Sequence, residues 1–328
     1  MIDSNSILNH INEYIQRIEY HKYPSSLYEP IKYVLSLGGK RIRPQLMLMA
    51  YNLYRDDIDT IMPNACALEM FHNFTLLHDD LMDNADMRRG NPTVHVKWHQ
   101  NAAILSGDTM LLLAYNMFIE TLSRYEIQAF QRACNTFCEA TLAVSEGQQY
   151  DIDFETRLDV TEDEYIEMIR LKTSVLLACA LKIGAELASA SVDDAQNLYD
   201  FGEKIGLAFQ LQDDLLDVYG DPSVFGKKIG GDILCNKKTY MLINALQLAS
   251  NTDKELLLHW INKKQFNPED KIASVTTIYD TVGIRNLCKS KIEYYFEEAI
   301  NSLSKVGVSE DKKLGLKEFA YKLLNREK

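Results

Sequence analysis

The sequence predicts an all-α fold, a single large helical bundle over residues 1–328. Nearly every apolar pattern repeats with the helical period. Sustained two-residue alternation, which would mark half-buried strands, is missing from the sequence. Glycine and proline punctuate the periodic stretches instead of interrupting them, at Gly38-Gly39, Pro44, Gly90-Asn91-Pro92 and Gly220-Asp221-Pro222.

Taken in order, the candidate helices begin with 5–19 and 25–37. Pro44 lies just inside 43–54, at a position where its missing N–H removes no helical bond. A core-like run gives 62–84, followed by 99–122 and 126–148. Thr161 and Glu164 form a capping box that opens 162–189. The stretch 193–217 is again core-like, and 237–249, 253–262, 270–280, 283–303 and 311–325 complete the set. Length alone suggests about two domains. With no Pro/Ser/Gly-rich linker and no break in composition, one domain is expected. No fixed-period repeat points to a solenoid.

Composition narrows the function. The chain is 46% hydrophobic and 25% charged, ordinary for a globular protein. Its net charge of -12, with no basic arm or stripe, argues against nucleic acid as a partner. The six cysteines, at 66, 134, 138, 179, 235 and 288, form no Cys-x-x-Cys pair and fit a reducing cytoplasm. The N-terminus lacks the basic and apolar regions of a signal peptide, and no uninterrupted apolar run reaches the roughly 18 residues of a membrane span.

Two copies of one acidic pattern carry the chemistry: Asp79-Asp80-Leu81-Met82-Asp83 and Asp213-Asp214-Leu215-Leu216-Asp217. Residues four apart share a helix face, so Asp79 points with Asp83, and Asp213 with Asp217. Like charges at that spacing repel, and unpaired charge at the end of a core-like helix is costly. A cation between the carboxylates resolves both problems. Hard oxygen ligands without His or Cys favour Mg²⁺, which accepts one or two carboxylates and completes its octahedron with water and substrate phosphates.

The basic residues cluster as a diphosphate would require. Gly38-Gly39-Lys40-Arg41-Ile42-Arg43-Pro44 sets three cations at a helix entrance, where backbone N–H groups also favour anions. Arg88-Arg89-Gly90 follows the first acidic motif, and arginine binds phosphate oxygens bidentately. Lys172-Thr173 lies within an apolar helical segment. Gly147-Gln148-Gln149-Tyr150-Asp151 adds an amide and a carboxylate. Residues 219–239 combine glycines with Lys227, Lys228, Lys237 and Lys238, as a phosphate-touching lid would.

In this combination and order, the motifs resemble those of the trans-isoprenyl diphosphate synthases, the polyprenyl synthetase family, over about 20–325. The resemblance implies the isoprenoid synthase type of helical bundle with a central apolar tunnel. It also implies a Mg²⁺-dependent, head-to-tail condensation of isopentenyl diphosphate with dimethylallyl, geranyl or farnesyl diphosphate. By the same resemblance, Lys40, Arg43, His72 and Arg89 would bind isopentenyl diphosphate. Asp79, Asp83 and Asp213 would hold three Mg²⁺, and Arg88, Lys172, Thr173, Gln210, Lys227 and Lys237 would contact the allylic diphosphate. Thr173 and Gln210 would steady the allylic cation, and a homodimer is implied. Asn236 replaces a common glycine of the family. Phe74, five residues before the first motif, would set product length at C15–C20 with Thr75 beside it, about 7.5 Å along the helix. Alternatives are a C25 or longer product, a class I terpene cyclase, or a non-catalytic subunit of a heteromeric synthase. The intact second motif and the Lys40/Arg43 turn weigh against the last two.

Overall fold

The computed structural model describes residues 4–18, 23–220 and 229–325. The chain forms two compact units. The first comprises Met1–Phe137, Ala180–Gln196 and Val308–Leu316; the second comprises Cys138–Cys179, Asn197–Gly307 and Lys317–Lys328. Both are helical, as the sequence predicts.

The first unit is organised on α4 (Met62–Met82), against which α1 (Ser4–Arg17), α2 (Ser25–Ser36), α3 (Ile42–Asn52) and α6 (Gln100–Ile119) pack. Every residue from Met62 to Phe71 is buried, so α4 begins as a helix covered on all sides. Only its last turns surface, and those turns carry the first acidic motif. Between α4 and α6 the chain makes features that the helical pattern did not predict. Strands β1 (Met87–Arg88) and β2 (Asn91–Pro92) form an antiparallel hairpin, and a short α5 (Val94–Lys97) follows. Arg89 and Gly90 make its two-residue turn, with φ of 52° and 76°, which matches the strand twist. Gln100–Arg124 is long and apolar enough to cross a membrane by composition, and 39% of its apolar 18-residue window is buried.

In the second unit, α8 (Glu162–Ile169), α10 (Val192–Tyr219), α12 (Tyr240–Leu248), α14 (Pro268–Thr281) and α15 (Ile284–Ser304) contribute to one apolar core. The short α11 (Gly231–Leu234), α13 (Asn251–Asn262) and α16 (Glu310–Leu324) complete the helices named here, with α7 (Ile127–Thr156) and α9 (Val175–Leu187). The Thr161 capping box forms as predicted. The expected helix 162–189 does not run unbroken, because Arg170–Ser174 is a π turn between α8 and α9. Such turns are rare and concentrate at functional sites. Ser174 Oγ donates to Ile169 O at 3.3 Å, satisfying a carbonyl near the start of the turn.

Two helical glycines explain how the π turn is accommodated. A Cβ on Gly147 of α7 would lie 2.4 Å from Lys172 N, and one on Gly206 of α10 would lie 2.5 Å from Ser174 Cα. Both contacts are with the chain near or at the backbone, which cannot swing aside as a side chain can. In an exposed helix, Gly→Ala stabilises by roughly 0.8–1 kcal/mol. Here the sign should reverse: Gly147→Ala and Gly206→Ala are each expected to destabilise by about 1–3 kcal/mol through overpacking. Urea unfolding of the two variants measures it, and stabilisation of either would contradict the close approach.

Candidate active site

In the first unit, the Gly-Lys-Arg turn divides its cations by role. Arg41 takes φ 46° and is buried, where its Nη1 meets Glu69 Oε1 at 2.7 Å and its Nη2 donates to Leu35 O at 2.8 Å. This pairing anchors the turn to α4. Lys40 is left exposed at its tip, held through its carbonyl by Gln45 Nε2 at 2.6 Å. Arg43, the second residue of α3, has Nη1 3.0 Å from His72 Nε2, and its buried Nε has no hydrogen-bond partner. Gly39 takes φ 139°, a conformation that residues with a side chain rarely adopt. A Cβ there would lie 2.8 Å from Arg89 Nη2, and Arg89 Nη1 donates to Gly38 O. The hairpin thus lays Arg89 across the glycine turn.

His72 sits among these guanidinium groups as a neutral ring. Burial pushes its pKa well below the ordinary histidine value, and the charges of Arg43, Arg89, Arg88 and Arg41 push it further. Burial also lowers Arg43, to about 10, against the pull of Glu69. Of the four residues that the family resemblance assigned to one diphosphate, Arg43, His72 and Arg89 are thus neighbours, and Lys40 lies exposed on the adjoining turn.

The first acidic motif ends α4, where the helix dipole disfavours negative charge. Its three carboxylates differ. Asp80 is buried and accepts from Arg88 Nε at 2.8 and 2.7 Å. Burial raises its pKa, and Arg88 opposes that rise. Asp79 and Asp83 lie outward, Asp83 as the exposed C-cap one turn on, with its N–H bonded to Asp79 O. Arg88 Nη2 reaches Asp79 at 3.8 Å.

The second motif repeats this division in the second unit. Asp214 is buried, accepting from Gln210 Nε2 at 3.0 Å and from the Tyr165 hydroxyl. Burial raises its carboxyl pKa, the nearby Asp232 charge adds to that, and the two donors oppose it. Asp213 and Asp217 are only partly covered. Asp217 accepts from Asp232 N–H at 2.9 Å, which ties the start of α11 to the end of α10. Thr173 Oγ1 donates to Gln210 Oε1 at 3.1 Å. Lys172 Nζ meets Asp151 Oδ2 at 2.6 Å. Burial favours a higher pKa for Asp151, but the charges of Lys237 and Lys172 outweigh it and hold the group below the usual carboxylate range. Lys172, Thr173, Gln210, Asp151 and Lys237 thus share one neighbourhood. Asn236 takes φ 56°, the left-handed conformation a glycine would adopt, and its Oδ1 accepts from Lys271 at 2.7 Å. Lys227 lies outside the described residues.

Among the described residues no cluster of three or more His, Cys, Asp or Glu side chains forms a closed metal cage. Acceptor-only carboxylates spaced one turn apart on an open helix end suit Mg²⁺, whose other positions go to water and phosphate oxygens. Sequence reasoning missed Asp80, Asp214, Tyr165 and Glu69, whose roles depend on which way each helix faces. It had a usable signal for Gly206, set inside an unbroken helical pattern.

The Polyprenyl synthetase family model matches residues 24–279. The chain belongs to the polyprenyl synthetase family. It is 38% identical over 290 residues to a geranylgeranyl diphosphate synthase of Methanosarcina mazei, covering 87% of this chain and 86% of that protein. A crystal structure of geranylgeranyl pyrophosphate synthase matches with a TM-score of 0.93 and 39% identity over 100% of both chains. A geranylgeranyl pyrophosphate synthase from Corynebacterium glutamicum, solved with isoprenyl diphosphate and magnesium, gives a TM-score of 0.89 at 26% identity, over 99% of this chain and 100% of that chain.

The neutral His72 has a measurable consequence. An unfolded chain protonates this histidine below about pH 6.5, whereas the folded chain resists it. The unfolded state then binds more protons, so stability is full above that pH and is lost as pH falls below it, by at most about 1.4 kcal/mol per pH unit. Urea unfolding at several pH values should show that His72→Gln flattens this slope. An unchanged slope would mean that His72 is not the group responsible.

Proposed function

We propose that this chain is a Mg²⁺-dependent short-chain trans-prenyltransferase, adding isopentenyl diphosphate head-to-tail to dimethylallyl, geranyl or farnesyl diphosphate to give C15–C20 all-trans products. The observation that carries this reading is the shared division of labour in the two aspartate motifs. In each, the buried middle carboxylate orients a neighbouring polar group, Arg88 or Gln210, and the outer carboxylates remain as oxygen ligands. A class I cyclase has no second motif of this kind.

Asp79, Asp83 and Asp213 would hold the Mg²⁺ ions through their carboxylate oxygens, leaving the remaining positions to water and substrate phosphate. When bound, Mg²⁺ supplies Lewis-acid and electrostatic stabilisation of the departing diphosphate. Arg88, Lys172, Lys227 and Lys237 bind the allylic diphosphate and neutralise charge as its C–O bond breaks. Lys40, Arg43, His72 and Arg89 hold isopentenyl diphosphate by charge-assisted hydrogen bonds, so that its double bond meets the allylic carbon. Thr173 and Gln210 turn oxygen dipoles towards the allylic cation. Loss of a proton to the released diphosphate completes the addition. Asp79→Ala or Asp213→Ala should lower kcat by about 10³-fold or more, and turnover within about tenfold of wild type would overturn the metal assignment.

Product length is assigned to Phe74. Its ring is half-buried, edge-on to His78 at 4.8 Å and 5.5 Å from Phe71, which is buried against Phe137. Gly107 of α6 makes room for the His78 ring, because a Cβ there would lie 2.2 Å from Nε2. Thr75 satisfies its hydroxyl on His72 O at 2.8 Å. This buttressed ladder supports Phe74 as a floor that cannot retreat. The remaining apolar surface of α6, at Leu105, Leu112 and Ile119, suits burial against a second copy in a homodimer. Phe74→Ala should lengthen the product by at least one five-carbon unit. If the ring instead serves only the core, the product stays unchanged and stability falls by about 3–5 kcal/mol, so chromatography and melting temperature on one sample separate the outcomes.

A further inference from the structure

A hydrogen-bonded chain crosses the second unit from α8 to the π turn. Tyr165 donates its hydroxyl to Asp214 Oδ2, and Gln210 Nε2 donates to Asp214 Oδ1 at 3.0 Å. Thr173 Oγ1 then donates to Gln210 Oε1 at 3.1 Å. Tyr165 and Asp214 are both buried in an otherwise apolar core, at 2% and 4% exposure. Such groups are retained in a core only when each polar atom has its partner.

The direction of these bonds matters more than their number. A glutamine amide can face either way. Both Asp214 oxygens accept here, Oδ2 from Tyr165 and Oδ1 from the Nε2 end of Gln210, and that turns Oε1 towards Thr173. Thr173 must then spend its proton on Oε1, which leaves its oxygen lone pairs free to face an electron-poor carbon. Were the amide reversed, Gln210 would donate to Thr173, and the hydroxyl proton would point outward instead. A cation beside it would then meet the positive end of the dipole.

We propose that Tyr165 is a positioning residue for prenyl transfer, acting through Asp214 and Gln210 to fix the direction in which the Thr173 hydroxyl points. It touches no substrate. Its hydroxyl occupies Asp214 Oδ2 and holds the carboxyl in place deep in the core, so that Oδ1 meets the Nε2 end of the Gln210 amide. The inference rests on the reading that Thr173 and Gln210 face the allylic cation.

Tyr165→Phe removes the hydroxyl and leaves the ring in its packing. Its kcat should fall about 10- to 100-fold, with KM for isopentenyl diphosphate within about twofold of wild type, because only the transition state is affected. The same change in a Thr173→Val background should lower kcat by less than about twofold, since the group it acts through is already gone. A merely structural role would lower kcat equally in both backgrounds, and equal losses overturn the proposal, as does a Tyr165→Phe kcat within about twofold of wild type. If Thr173→Val alone leaves kcat within about twofold, the assignment of Thr173 fails and the proposal falls with it. Should Tyr165→Phe not fold, Asp214→Asn enters the same cycle. Its side-chain amide can donate to Gln210 Oε1 and reverse it, so the same pattern of losses is expected, and equal losses in the two backgrounds again overturn the proposal.

Discussion

Burying a carboxylate is unfavourable unless its oxygens are matched by donors, and each acidic motif does so at its middle position. Asp80 and Asp214 are the middle residues of the two acidic motifs, and both are buried. Each helix turn then presents its first and third aspartates outward, because a middle residue that faces inward fixes the phase of the other two. The donors that satisfy the buried oxygens become oriented in their turn. Arg88 is drawn to Asp80 by two hydrogen bonds, and Gln210 and Tyr165 are drawn to Asp214. One inward carboxylate therefore sets both the outward pair and the orientation of a neighbouring polar group, which is why the spacing alone does not convey the arrangement.

The cationic side is built by the opposite device. Four guanidinium groups around His72 would repel one another in the absence of an anion, and the protein limits that repulsion in two ways. Arg41 is neutralised by Glu69 at 2.7 Å and removed from the site. His72 stays uncharged. Arg88 is held on Asp80, which leaves Arg43 and Arg89 beside the neutral ring, with Lys40 exposed on the adjoining turn. The glycine turn serves this by letting the Arg89 side chain lie where a Cβ would stand.

The helices, their order and most boundaries were legible because a continuous 3.6-residue apolar period needs no tertiary information. The acidic motifs were legible for the same reason, since four-residue spacing puts two carboxylates on one face. The hairpin was not, although Arg89-Gly90 between two short segments is a recognised two-residue turn, because strands of two residues carry no alternation to read. The end of α7 was placed about two turns early, at Gly147-Gln148, although the helix continues to Thr156. That glycine marks a close approach, not a stop. Lys172 could equally have reached solvent by its sequence context, and only its ion pair with Asp151 decides otherwise. The inward roles of Asp80, Asp214 and Glu69 were hidden, because they depend on what packs against each helix.

The π turn connects these threads. Consecutive helical residues point roughly 100° apart, so neighbours in sequence can address different helices. Here Lys172 pairs with Asp151 of α7, and Thr173 pairs with Gln210 of α10. The same two helices bring glycines against this segment, Gly147 beside Lys172 and Gly206 beside Ser174. The turn is therefore held from both sides at backbone distance, and its two polar side chains each emerge beside a glycine-bearing helix. An ordinary α-helical turn would close the Ile169 carbonyl with a backbone N–H. In the π turn the backbone donor comes one residue later in the chain, and Ser174 Oγ adds a second donor to the same carbonyl, so the departure from regular geometry leaves that carbonyl partnered.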